Sequence, residues 1–193
     1  MKKTMITLMA ILLLAVPFSV FAGDGLWVGP TAMYNTPVTL GYLVENYDEV
    51  VFNPENFSYG AEARLDIGIF QASVNAIYSP TTYAEVRMIG PSYIDLGPSL
   101  EASANLGIYA DLGIVGLGLG AGPRYLVLLD EAVDEFEPFS LGYNVKAEAD
   151  LILGSTIFSA YFMGYTNDLE AFADEADIEN MMGQAGLSVL FQL

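Results

Sequence analysis

Polar and apolar residues alternate with a period of two along two stretches of this chain. From Phe57 to Ile67 the odd positions are apolar and the even positions carry small, polar or charged side chains, and residues 139–151 repeat this arrangement. Such a period places successive side chains on opposite faces of an extended strand, whereas a helix would mix the two classes. Each stretch therefore predicts a β-strand with one hydrocarbon face and one ionic face.

Six further stretches with strand character bring the predicted total to eight. They are residues 26–34, 70–78, 100–108, 114–128, 156–165 and 183–193. The pattern does not assign an inward face to residues 26–34 or to residues 156–165.

The connections between these predicted strands alternate in length. Short turns containing Asp and Gly, residues that favour tight turns, are expected at 66–68, 111–113 and 150–154. Long connections are expected at 35–56, 79–99, 130–138 and 166–182. Residues 84–90 resemble residues 61–68 in sequence, so we expect them either to form a hairpin above an eight-stranded barrel or to bring the strand count to ten.

The beginning of the sequence resembles a secretory signal peptide. Lys2 and Lys3 precede an apolar run at 5–16, and residues 20–22 fit a small-residue cleavage site. We expect residues 1–22 to be removed and residues 23–193 to form one domain. No later stretch approaches the ~18 consecutive apolar residues that a membrane-spanning helix needs, so membrane insertion would have to use strands.

The final predicted strand alternates up to the last residue of the sequence. Its apolar positions are Ala185, Leu187, Val189, Phe191 and Leu193. This strand resembles the closing strand of a bacterial outer-membrane β-barrel, although those strands usually end in Phe where this sequence has Leu193.

The sequence resembles the outer-membrane β-barrel superfamily, which includes small OmpA- or OmpX-like members. This resemblance rests on the alternation within the strands, the alternation of short and long connections, and the closing strand. It implies an all-β, closed, antiparallel, up-and-down transmembrane barrel located in the outer membrane. It also implies periplasmic short turns, extracellular long loops, and recognition of Leu187, Val189, Phe191 and Leu193 by the barrel-insertion machinery. A soluble, lipocalin-like periplasmic binding barrel is the alternative, and it would turn its apolar face inward.

The formal net charge of −18 makes nucleic acid an unlikely partner. Most acidic residues fall in the predicted loops, including six between Asp168 and Glu179. Such loops form a solvated anionic surface, and their oxygen atoms suit divalent cations as partners, although the spacing of an EF-hand is absent. The sequence has no Cys, so no disulfide framework is expected.

A second group of charged residues lies on the polar faces of the predicted strands. The group consists of Glu62, Arg64, Glu101, Arg124, Lys146, Glu148 and Asp150. Buried charges must pair, so we expect a salt-bridged plug that fills the lumen of the barrel. An ion-conducting constriction is the alternative, but an eight-stranded barrel has room for little more than its own side chains.

The glycines between Gly116 and Gly122 recur at every second residue, and no predicted helix follows them. A dinucleotide site needs a strand, a turn and a helix, so we expect these glycines to line the inner face of a strand beside Arg124. Pro123 predicts a bulge in that strand. No cofactor and no metal ligand are expected.

Catalysis is not expected, because the small barrel enzymes of the superfamily use a His and this sequence has none. We expect a non-enzymatic barrel with a structural or surface-interaction role, in contact with outer-membrane lipid. A small cation-selective porin is the alternative, and a soluble periplasmic barrel is the third hypothesis.

Overall fold

The computed structural model describes residues 25–39, 54–86, 92–129, 139–166 and 182–193. Its strands are β1 (Gly25–Thr39), β2 (Phe57–Ile67), β3 (Phe70–Ser79), β4 (Tyr83–Val86), β5 (Ser92–Asp95), β6 (Ser99–Asp111), β7 (Val115–Leu128), β8 (Phe139–Leu153), β9 (Thr156–Thr166) and β10 (Met182–Gln192). A 3-10 turn at Pro54–Asn56 leads into β2. Within these ranges no helix is long and apolar enough to cross a membrane. The predicted signal peptide lies outside the described residues.

Eight of the described strands close into one antiparallel barrel, as predicted. Their order around the barrel is β1, β10, β9, β8, β7, β6, β3 and β2, with β2 returning to β1. Strands β4 and β5 pair with each other in a separate two-stranded sheet within the connection between β3 and β6. The ten-stranded alternative is therefore wrong, and the paired residues 83–86 and 92–95 agree with the hairpin interpretation, while residues 87–90 lie outside the described residues.

One end of the barrel, which we call the turn end, carries the three short connections. Gly68, Gly113 and Gly154 lie in these turns at φ values of +58°, +100° and +63°, a backbone region that other residues enter only with strain. The backbone amide of Gly113 also donates to Asp111 Oδ1 at 2.7 Å. The Gly residues thus lie in the three predicted turns, whereas Asp66 and Asp150 belong to β2 and β8 and are buried. Strand β1 starts and β10 ends at this same end.

The outer wall of the barrel is apolar and the lumen is largely polar. Large apolar side chains such as Leu65, Leu106 and Leu187 are exposed on the outside, while Glu62, Arg64 and their polar neighbours are buried inside. This distribution is the inverse of a soluble barrel, whose apolar face points inward. The lipocalin-like alternative is therefore wrong.

Two Gly-Pro steps interrupt the ladder at two strand pairs. Pairing between β1 and β10 skips Gly29 and Pro30, and pairing between β6 and β7 skips Gly122 and Pro123. Each Pro lacks the N–H that a ladder bond needs, and a Cβ at either Gly would overlap a backbone carbonyl oxygen of the facing strand.

The register is the same on both sides of each interruption. On β6 and β7, Ser103 pairs with Arg124 and Leu106 pairs with Ala121, so both strands advance by three residues between these pairs. The bulge predicted at Pro123 is therefore wrong, because the missing ladder bond inserts no extra residue. The strand order puts the two interruptions on opposite sides of the barrel.

Candidate functional site

The candidate site is the lumen, where the structure places all seven charged residues that the sequence indicated. Each of these residues is at most 6% exposed. Strands β2, β6, β7 and β8 carry them at alternate positions, so the period of two in the sequence turns them all inward. They form two separate groups inside the barrel.

The larger group, which we call the ionic cluster, lies nearer the turn end and is built around two cations. Arg64 contacts Asp150 Oδ2 at 2.5 Å through Nη1 and Glu148 Oε2 at 3.0 Å through Nη2. Lys146 Nζ lies 2.6 Å from Glu62 Oε1 and 2.8 Å from Glu148 Oε2. Since Glu148 contacts both cations, the five residues form one network and not isolated pairs.

Neutral side chains extend the ionic cluster by hydrogen bonds. Gln71 Nε2 donates to Glu148 at 2.7 Å, and the hydroxyl of Tyr109 donates to Asp150 at 2.8 Å. Ser188 donates to Glu62 at 2.6 Å. Bonds to ionised groups are stronger than neutral ones, and these bonds satisfy carboxylate lone pairs that burial would otherwise leave unpaired.

The glycine row of β7 makes room for this cluster. A Cβ at Gly116 would overlap the Tyr109 hydroxyl, and a Cβ at Gly118 would lie 2.7 Å from Cγ of Glu148. The missing side chains of this row therefore leave the space that Tyr109 and Glu148 occupy. Sequence reasoning assigned these glycines to the inner face but could not say which neighbours fill the space.

The smaller group lies nearer the opposite end of the barrel, which we call the loop end. Arg124 Nη2 contacts Glu101 Oε2 at 2.8 Å, and Gln184 Nε2 donates to the same oxygen at 3.3 Å. The guanidinium group of Arg124 lies 3.9 Å from the centre of the Tyr165 ring, within cation–π distance. Lys146 over Tyr161 and Arg64 over Tyr109 have the same arrangement at 4.6 Å and 5.9 Å.

Apolar side chains occupy two levels of the lumen. Trp27, Ile157 and Leu190 form a buried cluster at the turn end. Met33, Ile77, Tyr161 and Met163 form a second cluster that reaches from β1 and β9 across to β3. Along β9 the inward residues are successively Ile157, Ser159, Tyr161, Met163 and Tyr165, so apolar and polar levels alternate from the turn end to the loop end.

Several lumen residues were not predicted from the sequence. Thr31 and Tyr161, whose hydroxyls lie 2.7 Å apart, belong to the two strands without an assigned inward face. Tyr109 lies one residue beyond the predicted end of its strand. Asp66 was placed both on the polar face of the strand predicted at 57–67 and in the turn predicted at 66–68, and the structure buries it at the end of β2. Extension of the period-two pattern of β6 by one residue would have identified Tyr109.

Comparison with known proteins bears on the fold. The N-terminal β-barrel domain of Pseudomonas aeruginosa OprF is similar to this chain with a TM-score of 0.56 and 10% sequence identity, covering 89% of this chain and 100% of that domain. The chain has the fold of the small eight-stranded outer-membrane barrels. Neisserial surface protein A, NspA, aligns with a TM-score of 0.47 at 13% identity, over 89% of this chain and 98% of that one.

No protein-family model and no curated protein sequence matches the chain. The likeness to the outer-membrane barrels therefore concerns the fold. The role of the protein has to be argued from its own lumen, its outer wall and its loops.

Proposed function

We propose that the protein is an integral outer-membrane barrel with a structural or surface-interaction role and a lumen closed by its own side chains. The ionic cluster carries this proposal. Arg64 and Lys146 together contact three carboxylates and are buried with them. A charge held by several short contacts is expensive to displace, because removing one partner leaves the others buried and unpaired.

The lumen contains successive layers of ion-paired and apolar side chains, and this arrangement argues against a small cation-selective porin. A hydrated cation moving along the axis would have to pass the pair of Arg124 and Glu101, the apolar cluster around Met33, and the ionic cluster in turn. Conduction needs a wet path in which ion binding is weak enough to reverse. We therefore favour a closed barrel over a channel.

The outer wall supports contact with lipid. An apolar groove of about 500 Å³ on β2, β3, β6 and β7 is lined by the alanines Ala61, Ala76 and Ala102, and Tyr59 and Tyr78 lie at its edge. In outer-membrane barrels, tyrosines near the strand ends lie at the level of the lipid headgroups. We propose that outer-membrane lipid covers this wall.

The end of β10 supports recognition by the barrel-insertion machinery. Leu187, Phe191 and Leu193 point outward with exposures of 66%, 49% and 80%, and Val189 lies between them on the same face. The backbone amide of Leu193 donates to the Leu26 carbonyl at 2.9 Å, which ties the end of the chain to β1. We propose that this outward apolar row is the insertion signal.

The acidic loop residues predicted between 40 and 53, 130 and 138, and 167 and 181 lie outside the described residues. These ranges are rich in Asp and Glu, and we propose that they make the loop end strongly anionic. We propose that this surface binds cationic partners directly or anionic surfaces through divalent cations. Calorimetric titration of the refolded protein with Ca²⁺ tests the second route. Binding of Ca²⁺ should be lost when the six acidic residues between Asp168 and Glu179 are changed to amides. A titration of the unaltered protein that releases or absorbs no heat of binding would contradict this route.

We propose no catalytic activity. No His is available as a general base, and the carboxylates of the lumen are engaged by Arg64, Lys146 and Arg124. These partners hold the carboxylates away from any substrate at the surface.

Fractionation of a Gram-negative host expressing the full chain tests the proposed function. We expect the protein in the outer-membrane fraction, with a mature N-terminus near Gly23 and a gel mobility that changes on heating. Recovery of folded protein in the soluble periplasmic fraction would contradict the proposal. Ala147→Asp, which puts a charge on the outer wall, should reduce membrane recovery, whereas Leu193→Phe should leave it unchanged.

A further inference from the structure

Three buried side chains at the loop end of the lumen each keep one oxygen atom without a hydrogen-bond partner among the described residues. These atoms are Asn35 Oδ1, Glu101 Oε1 and Gln184 Oε1, and the three residues are at most 8% exposed. Asn35 pairs in register with Gln184, whose Nε2 donates to Glu101 Oε2 across the lumen at 3.3 Å. The three oxygens therefore belong to one connected group, which we call the oxygen triad.

The other contacts of these side chains make all three free atoms acceptors. Asn35 Nδ2 donates to Ser58 Oγ at 2.8 Å, which leaves the amide oxygen without a partner. Gln184 directs its nitrogen at a carboxylate, so its oxygen is free as well. Glu101 Oε2 receives both Gln184 and Arg124, which leaves Oε1. A group bound to the triad must therefore supply donors or positive charge.

A small cavity adjoins the oxygen triad. All three triad residues line it, and its volume is about 10 Å³. Such a volume holds one group of the size of a water molecule. Ser79, which ends β3, and Ser99, which begins β6, also line the cavity, so it lies at the loop end of the barrel.

The chemistry of the triad selects the class of ligand. An anion would face three oxygens, and a water molecule has two hydrogens for three acceptors. A calcium ion takes about six to eight oxygen ligands, whereas the one carboxylate among the lining residues, Glu101, is already shared with Arg124. An ammonium group carries a single positive charge and at least three N–H donors, and it is about as large as a water molecule.

Arg124 also lines the cavity, and its charge is balanced within the site. Its Nη2 lies 2.8 Å from Glu101 Oε2, and its guanidinium group lies over the Tyr165 ring. Its Nε has no hydrogen-bond partner among the described residues. Because Arg124 and Glu101 are together formally neutral, a monovalent ligand adds one positive charge to the site. The net charge of −18 on the chain favours a cation over an anion there.

We propose that this cavity binds an ammonium group, either as the free ammonium ion or as the head of a small primary amine. Three of its N–H groups donate to the oxygens of Asn35, Glu101 and Gln184. The site uses none of the acidic loop residues. It goes beyond the structural or surface-interaction role, which does not require a ligand inside the barrel.

Titration of the refolded full chain in detergent micelles tests this site, with ammonium chloride as the probe at constant ionic strength. The side-chain amide signals of Asn35 and Gln184 in NMR spectra should shift and reach saturation. Tetramethylammonium, which has the same charge but no N–H group, should cause no saturable shift, and potassium should bind more weakly than ammonium. The absence of a saturable shift with ammonium, or equal affinities for ammonium and potassium, would overturn the proposal.

Methylammonium distinguishes the two sources of the group. Saturable binding of methylammonium as well as ammonium would support the head of a primary amine as the ligand. Binding of ammonium alone would support the free ion.

The variant Gln184→Met gives a second measurement. It removes one oxygen of the triad and should weaken ammonium binding about tenfold, because a hydrogen bond to a charged group is lost. The matched variant Ala185→Met places the same side chain on the exposed outer face one residue away and should leave the affinity unchanged. An unchanged affinity in Gln184→Met would overturn the proposal. Should that variant not fold, the comparison of ammonium with tetramethylammonium in the unaltered protein decides alone.

Discussion

Replacement of Lys146 by Met tests whether the ionic cluster holds the barrel together. The cluster has two cations, Arg64 and Lys146, which contact Glu62, Glu148 and Asp150 at 2.5 to 3.4 Å. Met keeps most of the volume of Lys and removes its charge. Two carboxylates then lose their contacts at 2.6 and 2.8 Å while remaining buried.

The expected loss of stability follows from the energetics of broken buried pairs. Removing one partner of such a pair costs about 3–5 kcal/mol. Lys146 contacts two carboxylates and also lies over the Tyr161 ring, so we expect a loss of about 4 kcal/mol in the free energy of unfolding. Combining Lys146→Met with Glu62→Gln removes one of the stranded charges and should recover a substantial part of that loss.

Urea unfolding of the refolded protein in lipid vesicles measures these differences. Trp27 is the only tryptophan and lies buried at the turn end, so its fluorescence reports unfolding without a label. The matched control is Ala147→Met, which introduces the same side chain on the outer wall one residue away and should change stability by about 0.5 kcal/mol or less. A loss below about 1 kcal/mol for Lys146→Met, or a double variant no more stable than the single one, would refute the reasoning.

Three further predictions address the glycine row, the interrupted ladders and the end of the chain. Gly116→Ala should destabilise the barrel by about 1–3 kcal/mol in the same unfolding assay, since its methyl group must displace the Tyr109 hydroxyl from Asp150; unchanged stability would contradict this. Backbone amides of β10 and β6 that face Pro30 and Pro123 should exchange hydrogen faster than amides in the uninterrupted pairing of β2 with β3. Equal protection of the two sets of amides would contradict this prediction. Deletion of residues 191–193 should block outer-membrane assembly in a fractionation experiment, whereas normal insertion would show that the signal lies elsewhere.

The fold could be predicted largely because a barrel strand with one apolar outer face and one polar inner face has a regular sequence pattern of period two. Strand β2 shows this clearly, since Glu62 and Arg64 alternate with Ala61, Ala63 and Leu65. The Gly residues of the short turns could be assigned to three connections for a local reason, namely the positive φ of Gly68, Gly113 and Gly154.

The pattern was weakest where the lumen itself is apolar. Met33, Ile157 and Met163 point inward and so break the alternation of β1 and β9, and for that reason neither strand could be oriented from its sequence. The error at Pro123 has a different origin. A strand can accommodate the missing N–H of a Pro either by an extra, bulged residue or by the loss of one backbone hydrogen bond without a change of register. The pairing with the facing strand decides which of the two occurs.

The charged residues of the lumen could be predicted as a set but not as a network. Sequence alternation says that Arg64, Arg124 and Lys146 share the inner face, yet their partners come from strands up to 86 residues away, as with Arg64 and Asp150. Which cation meets which carboxylate depends on register and shear around the whole barrel. The same holds for the tyrosine that lies under each cation.

The central claim is that salt-bridged side chains close the lumen of this barrel. Planar-bilayer recording of the refolded protein tests it most directly. The unaltered protein should insert without stable unitary conductance, and the same absence of conductance is expected for Ala147→Met. Reproducible cation-selective steps whose size changes in Lys146→Met or Arg124→Met would contradict the claim and establish a small channel.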